Sequence, residues 1–215
     1  MTAHMLLPLP YYRNDGDGYQ CMQVAMKIVL KHFLKKDYSL ADLDRITGRK
    51  EGGYNTFTQQ IAPALYDLGL DVTYYTSGNP PEWLQGEDYI RAQWADEADK
   101  MLKVIDVQSM VAATRRLLDY AIWERKHLTI EEIEEALRQG HVPMALVDYH
   151  KIMPRYGRYK GHFIVLTGYD EKHITFHEPG PRYAAPNKKI EKGVFMTAWS
   201  AKGTDNDIII VRGKR

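Results

Sequence analysis

Apolar residues near the N-terminus recur at helical spacing and predict a buried helix. From Tyr19 to about Leu34 they fall every three or four positions, with lysines on the opposite face. The preceding segment, from Asn14 to Gly18, lacks this period and is rich in residues that cap helices and form turns. The helix is therefore expected to begin close to Cys21, which places this cysteine in its first turn.

Helix-capping signals mark further helices along the chain. In such a signal a Ser or Thr is followed three residues later by a residue whose side chain bonds back to the helix start. Ser39 with Asp42 opens a short helix that ends at Gly48, and Thr129 with Glu132 opens another. The periodic pattern predicts two more helical regions, at 56–68 and, as one or two long amphipathic helices, at 87–125.

Strand patterns dominate the C-terminal part of the chain. Runs of β-branched and aromatic residues separated by turn-forming residues are typical of antiparallel strands. The turn at Asp170 and Glu171 joins two of these runs in a hairpin. The predicted strands are 70–75, 143–149, 161–169, 173–178 and 207–212. Because helices come first and most strands follow, we expect an α+β fold, with an N-terminal helical part packed on a C-terminal antiparallel sheet.

The length and charge of the chain narrow the possible functions. Its 215 residues suit one domain, and the net charge of +1 comes from interspersed acidic and basic residues. No basic surface that would follow phosphates is indicated, so neither a nucleic acid nor a membrane is expected as a partner. The N-terminal sequence lacks the features of a secretory signal, and no stretch reaches a membrane-spanning length. We therefore expect a soluble, cytoplasmic protein.

Cys21 is the only cysteine, which excludes an internal disulfide and every Cys-rich metal site. It is either a small core residue or a reactive thiol. A helix N-terminus favours the thiolate, because unpaired N–H groups and the helix dipole place positive charge beside the sulfur. The best candidate for the base is His162, which opens an apolar strand. An isolated cysteine is more often an apolar core residue, but the position and pairing of these two residues favour catalysis.

Glu178 is the candidate for orienting the His162 ring, since a catalytic histidine normally needs an acceptor for its second nitrogen. It ends the strand 173–178, immediately before Pro179. For Glu178 and His162 to lie directly opposite each other, the hairpin needs an odd loop or a bulge. The alternative for Glu178 is a solvated carboxylate at a strand end.

Several segments form a recognisable set of motifs. They are Tyr11–Asp15 with Cys21–Phe33, then Glu131–Met144, Gly161–Asp170, His177–Gly180, and the pair Phe195 and Trp199. Together they resemble the bacteriocin-processing, double-glycine-leader cysteine peptidases and their wider papain-like relatives. The order and separation of Cys21 and His162 fit the papain-like range. The resemblance implies a papain-like cysteine proteinase fold in a single domain, 1–215. The uncovered segment at about 80–126 is interpreted as a helical insertion.

The resemblance also implies roles for individual residues. Cys21 corresponds to the nucleophile, His162 to the base and Glu178 to the orienting acid. In the family a Gln before the cysteine helps to hold the developing oxyanion, and this chain has Asn14 or Asp15 near that spacing. Asn14 is assigned the role, because an ionised Asp15 would repel an oxyanion, and Gln20, next to the nucleophile, is expected to point elsewhere. Two further positions depart from the family pattern, since Met22 replaces a common Gly and Glu178 replaces the usual Asp.

The expected function is that of a cysteine hydrolase, a peptidase or amidase acting on a peptide or small amide. An amine or thiol as the final acceptor would make the same site an acyltransferase. The alternative from another class is a catalytically silent papain-like domain that binds a peptide or protein partner. Met22, Glu178 and the missing Gln favour that alternative. No cofactor and no metal is expected, and the sequence does not define the oligomeric state.

Two aromatic features are interpreted as structural. Trp83 and Trp94 are expected to anchor the helical segment rather than to bind a base or sugar. The tyrosine-rich run from Tyr156 to Tyr159 is interpreted as an exposed loop, with a place in a binding cleft as the alternative.

Overall fold

The computed structural model describes residues 4–51, 53, 56–153 and 157–215. Within these ranges, helices pack against a large β-sheet. The α-helices are α1 (Cys21–Leu34), α2 (Leu40–Thr47), α3 (Thr58–Asp67), α4 (Glu87–Trp94), α5 (Ala98–Val104), α6 (Val107–Asp119), α7 (Ile130–Arg138), α8 (Tyr149–Ile152) and α9 (Lys192–Trp199). Short 3-10 helices occupy Pro80–Gln85 and Ala95–Glu97. The strands are β1 (Met5–Leu6), β2 (Leu70–Thr76), β3 (Trp123–Arg125), β4 (Val142–Asp148), β5 (Gly161–Tyr169), β6 (His173–Glu178), β7 (Ala185–Glu191) and β8 (Ile208–Lys214).

Helix α1 is the buried helix that the hydrophobic pattern predicted. It begins at Cys21 and ends at Leu34, where Lys35 adopts a left-handed conformation with φ of 58°. The helix packs against β5, and Val24 and Leu30 are among its fully buried side chains. Each such aliphatic side chain stabilises the fold by roughly 1.5–3 kcal/mol. Packing thus holds the helix start, and with it Cys21, in a fixed place.

The sheet confirms the α+β prediction and extends it. Its strands lie in the order β3-β2-β8-β4-β5-β6-β7, and β1 pairs with β5. Neighbouring strands run antiparallel except β2 and β3, which are parallel. The predicted N-terminal helical part and C-terminal strands are both present. However, β2 and β3 come from earlier in the chain, so the sheet is not purely C-terminal and not purely antiparallel.

The hairpin of β5 and β6 contains the irregularity that the site requires. Leu166 pairs with Phe176, whereas Gly168 pairs with Thr175, so that Thr167 is an extra residue in β5. On the site side of this bulge Val165 pairs with His177. Extending that register by one residue places the end of β6 on the same face as the start of β5. The bulge at Thr167 therefore puts His162 and Glu178 on one face of the sheet, but the extended register places Glu178 opposite Ile164, so the directly opposite placement is not found.

The prediction of one or two long helices over 87–125 is wrong, because the segment is divided into α4, α5, α6 and β3. Ala95 interrupts the first pattern with a positive φ of 40°. Asp106 starts α6, because its carboxylate accepts a hydrogen bond from the Ser109 N–H at 2.9 Å. Such a side-chain bond to the backbone competes with the continuation of a preceding helix. These breaks let the short helices pack on one another.

The broken segment has a small core of its own. Ile90, Ile105 and Met110 are buried together, and Trp83 and Trp94 pack against them. The prediction that the two tryptophans anchor this segment is confirmed. Their rings lie 6.0 Å apart between centroids.

The sequence patterns did not indicate α8, β7 and α9. Strand β7 is polar and largely exposed, with the sequence Ala185-Pro-Asn-Lys-Lys-Ile-Glu191, so it lacks the alternation of apolar residues that marks a strand. Its pairing with β6 decides its conformation. No helix in the described part of the chain is long and apolar enough to cross a membrane.

Candidate active site

Cys21 lies at the start of α1, as predicted, with its sulfur among hydrogen-bond donors. Backbone N–H groups of Met22 and Phe163 donate to this sulfur, and the His162 side chain is also hydrogen-bonded to it. The cysteine is partly buried and packs at the edge of the main core. It is therefore not an apolar core residue, because its sulfur faces donors that favour a thiolate.

His162 joins the cysteine to an acid. It is the second residue of β5 and is 6% exposed. Its Nε2 donates to Oε1 of Glu178 at 2.8 Å, which leaves Nδ1 for the thiol. The Tyr149 ring packs edge-on against the imidazole, with 5.0 Å between centroids. Both ring nitrogens thus have defined partners.

Glu178 is completely buried, which excludes the alternative of a solvated strand-end carboxylate. Besides His162, its Oε1 accepts the backbone N–H of Gly180 at 2.9 Å. The backbone carbonyl of Glu178 accepts a hydrogen bond from the Tyr11 hydroxyl at 3.0 Å. Two contacts thus hold Oε1 of the carboxylate and one holds the backbone, while Oε2 is buried without a hydrogen-bond partner among the described residues. The family that the motifs resemble has an Asp at this position. The longer Glu178 side chain makes the contact with the imidazole here.

The contacts among Cys21, His162 and Glu178 shift the pKa values of the thiol and the imidazole in opposite directions. Burial alone would raise the pKa of Cys21, but the hydrogen bonds from His162 and the backbone, with the charge of His162, lower it. Burial alone would lower the pKa of His162, but its contacts with Cys21 and Glu178 raise it to about 9. The two shifts favour a thiolate–imidazolium pair around neutral pH.

Asn14 is buried close to the acid but does not contact the thiol. It is 2% exposed, and its backbone N–H donates to the Pro179 carbonyl at 2.8 Å. Neither its side-chain Oδ1 nor its Nδ2 has a hydrogen-bond partner among the described residues. Asp15, in contrast, is exposed and pairs with Arg13. Of these two neighbours, Asn14 is the one whose side chain is available inside the protein.

Gln20, the other amide near the cysteine, is directed away from it. Its Nε2 donates to the Asp44 carboxylate at 2.7 Å. This contact confirms the expectation that Gln20 does not face the nucleophile.

A cavity of about 480 Å³ opens on one side of Cys21, and we call it the aromatic pocket. Aromatic side chains of the 80–94 segment and its neighbours form its walls, and two carboxylates belong to its lining. Its main lining residues are Phe57, Trp83, Tyr89, Trp94, Tyr159, Asp205 and Asp207. Tyr159 is 43% exposed, as expected for a loop, yet it also lines this pocket. Tyr156, at the other end of the predicted loop, lies outside the described residues.

A second cavity, of about 310 Å³, lies on the other side of Cys21 and is basic. Its basic lining residues, among those the structure describes, are His150, Lys160, His162 and Arg182. Cys21, Tyr19 and Gly161 line both cavities. The thiol therefore stands between an acidic pocket and this basic pocket.

Several site residues were not indicated by the sequence. The Phe163 N–H reaches the sulfur only because β5 packs against α1. Asp205 precedes the predicted last strand, and Asp207 was expected to be the first residue of that strand, whereas β8 begins at Ile208. Their charge density in Asp205-Asn206-Asp207 was the only available signal. In the described ranges, no group of three or more His, Cys, Asp or Glu side chains is placed to hold a metal ion.

Comparison with known proteins gives a matching family model and several similar solved structures, two of which follow. A family model described as guanylylate cyclase matches residues 14–211. A structure described as a C39-like peptidase from Bacillus anthracis is 10% identical, with a TM-score of 0.59, and the match covers 99% of this chain and 98% of that chain. The peptidase domain of Streptococcus ComA, a bi-functional ABC transporter involved in a quorum-sensing pathway, is 15% identical, with a TM-score of 0.50 and coverage of 99% and 100%.

At these identities the structural likeness shows the fold alone, which is that of C39-like, papain-like peptidases. This agrees with the fold that the sequence motifs implied. The family model carries a different description from the bacteriocin-processing peptidases that the motifs resemble. Its match includes Asn14, Cys21, His162 and Glu178.

Proposed function

The chain belongs to the guanylylate cyclase family, and from the chemistry of its own site we propose that it is a cysteine hydrolase, a peptidase or amidase, with Cys21 as nucleophile. The observation that supports this most strongly is the hydrogen-bonded line from Cys21 through His162 to Glu178. A nucleophile, a base and an orienting acceptor in this order are the parts that acyl transfer requires. The peptidase fold of the similar structures is consistent with it.

In the proposed first half-reaction the Cys21 thiolate attacks the carbonyl carbon of an amide. A C–S bond forms, and the carbonyl electron pair moves to oxygen. Protonated His162 then gives its proton to the leaving amine as the C–N bond breaks. The products of this half are a free amine, a thioester on Cys21 and a neutral imidazole.

In the second half-reaction water attacks the thioester carbonyl while His162 takes its proton. Collapse of the intermediate breaks the C–S bond, releases a carboxylic acid and restores the thiolate–imidazolium pair. Glu178 stabilises the imidazolium and holds the ring orientation through Nε2. It therefore acts in both halves without giving up a proton.

Asn14 is proposed to assist the oxyanion. Its buried amide has no partner among the described residues, so its N–H groups are not committed to the fold. A rearrangement of the 14–18 segment on substrate binding would bring Nδ2 to the carbonyl oxygen, since catalytic hydrogen bonds often form only in the substrate complex.

The test is a screen of short peptides and amides, with products read by mass spectrometry. Cleavage by the wild type, abolished in both Cys21→Ala and Cys21→Ser, would support the proposal. Cleavage that persists without the thiol, or labelling of Cys21 no faster than that of a free cysteine, would refute it. The second result would favour a silent papain-like domain that binds a peptide or protein. Adding amines or thiols to the screen tests the acyltransferase alternative, because a transferase would yield their acylated products.

The family's description supplies a second candidate, the cyclisation of a guanylate nucleotide. The feature that favours it is the basic pocket, where Lys160 and Arg182 could bind phosphates. Incubation with GTP and magnesium, followed by mass analysis for cyclic GMP, tests it. Formation of cyclic GMP that survives Cys21→Ala but falls in Lys160→Gln would establish cyclase chemistry at that pocket. No cyclic GMP with active peptide cleavage would favour the hydrolase.

A further inference from the structure

The aromatic pocket is acidic at the end nearest β8. Asp207 is 6% exposed, and its Oδ1 accepts the Tyr74 hydroxyl at 2.7 Å. Burial raises the pKa of Asp207 to about 7 despite this bond. Asp205 is exposed at the same end of the pocket. A bound cation would compensate the buried carboxylate and keep it ionised.

The aromatic walls of the pocket also suit a cationic ligand. Phe57 and Trp83 lie 4.7 Å apart between ring centroids, and Trp83 and Tyr89 lie 4.6 Å apart. All three side chains are only partly buried. Aromatic faces attract ammonium and guanidinium groups and also accommodate their aliphatic stems.

The negative potential of the carboxylates extends to these walls. Burial, followed by the charges of Asp205, Glu82 and Asp207, raises the pKa of Tyr89 to about 12. The cation among the described lining residues is Lys202, which is exposed. The pocket therefore carries two potential negative charges against one exposed positive charge.

A buried amide in the pocket lining also lacks a partner. Gln59 is 3% exposed and lines the pocket, and its Nε2 has no hydrogen-bond partner among the described residues. An unpaired buried donor is costly for a fold, so its presence points to a bound acceptor. A peptide carbonyl is such an acceptor.

The charge of the basic pocket would determine the orientation in which a charged substrate binds. Lys160 and Arg182 in the basic pocket would repel a cation. A substrate with a basic side chain would therefore bind across Cys21 in one orientation only.

We propose that the aromatic pocket is the subsite for a cationic side chain, a lysine or arginine of a peptide substrate, beside the bond that Cys21 attacks. This rests on the proposed hydrolase function and names its substrate class. The aliphatic stem packs on Trp83 and Tyr89, the charge is held by Asp205 and Asp207, and Gln59 donates to the peptide backbone.

The test is calorimetric titration of the full chain carrying Cys21→Ala with two capped tripeptides that differ only in lysine or norleucine. The stems of these side chains are matched, so the comparison isolates the charge. We expect the lysine peptide to bind about tenfold more tightly. The preference should fall to near unity in Asp205→Asn and in Asp207→Asn. It should persist in Asp96→Asn, an exposed aspartate of the short 3-10 helix Ala95–Glu97 that does not line the pocket.

Equal affinities, no detectable binding of the lysine peptide at millimolar concentration, or a preference unchanged in Asp205→Asn would overturn the subsite. Asp205 is exposed, so its variant keeps the test valid if Asp207→Asn fails to fold. Binding is measured without the thiol and is therefore separate from turnover. If the wild type cleaves peptides but the two probes bind equally, the hydrolase proposal stands and the subsite proposal is refuted. A lysine preference without any cleavage keeps the subsite and loses the hydrolase.

Discussion

His162 and Glu178 are hydrogen-bonded at 2.8 Å although they are not cross-strand neighbours. On their side of the bulge Val165 pairs with His177, and extending this register by one residue places Glu178 opposite Ile164. His162 lies two residues before Ile164, nearer the start of β5. His162 and Glu178 are therefore diagonal neighbours on one face of the sheet. The extra residue Thr167 puts both side chains on that face. A glutamate side chain is long enough to span this diagonal. This length explains why Glu178 can occupy the position at which the family that the motifs resemble has the shorter Asp.

Removing the charge of Glu178 should weaken the ion pair. In Glu178→Gln the amide oxygen can still accept from His162 and Gly180, but the negative charge that raises the pKa of His162 is lost. We expect the His162 pKa to fall below about 9. The alkaline limb of the pH profile of kcat/KM should therefore move to lower pH. Glu171→Gln, an exposed change at the tip of the same hairpin, serves as the control, and an unmoved limb in Glu178→Gln would contradict the assignment.

Alkylation of Cys21 by iodoacetamide should report the thiolate directly, because the chain has one cysteine. Since contacts with His162 lower the thiol pKa, alkylation of the wild type should remain fast below the free-thiol value of about 8.5. In His162→Ala burial still raises the pKa while its largest opposing contact is gone. The rate near pH 6.5 should then fall by about tenfold or more.

Intact mass over time measures this rate. His173→Ala, a histidine on β6 whose Nδ1 contacts Asp170, is the matched control and should alkylate like the wild type. Slow alkylation that is indifferent to His162 would mean that the fold is retained without the chemistry.

Asp207 should make the folded state less stable as pH rises. Its folded pKa, about 7, lies above its ordinary value of 3.8, so between these values the folded chain binds a proton that the unfolded chain has released. The stability from this group is thus present below about pH 4 and is lost as pH approaches 7, with a slope of at most about 1.4 kcal/mol per pH unit.

Urea unfolding at about pH 4.5 and 6.5 measures this slope, in a window that lies mostly below the titration of His162. Asp207→Asn should flatten the dependence, because an amide does not titrate in this range, and its oxygen can still accept the Tyr74 hydroxyl. Asp96→Asn should leave it as in the wild type. Equal slopes in wild type and Asp207→Asn would show that Asp207 is ionised in the folded chain at both values.

Asn14→Ala separates a role in catalysis from a role in the fold. Because neither side-chain atom has a partner among the described residues, its removal should not lower the free energy of unfolding. If Asn14 holds the oxyanion, kcat should fall by about 10²–10³ with little change in KM. Gln20→Ala is the opposite case, since it loses the bond to Asp44 and should cost stability while largely sparing kcat. A stability loss in Asn14→Ala with unchanged kcat would assign Asn14 to the fold.

Elements with strong local signals could be predicted from the sequence alone. The period of α1, the capping boxes of α2 and α7, and the β5–β6 hairpin agree closely with the structure because each depends on neighbouring residues. The long helices expected at 87–125 failed, because capping by Asp106 and packing around Ile90 and Met110 override the amphipathic pattern. Polar β7 was missed because only its pairing with β6 makes it a strand.

For the site, local sequence and motif order indicated Cys21, His162 and Glu178 as candidates. Their meeting could not be predicted locally, since it depends on the packing of α1 against β5 and on the bulge at Thr167. The acidic side of the cleft was likewise invisible in the sequence. Asp207 lies far along the chain from Cys21, and its altered pKa comes from burial, which no local pattern encodes.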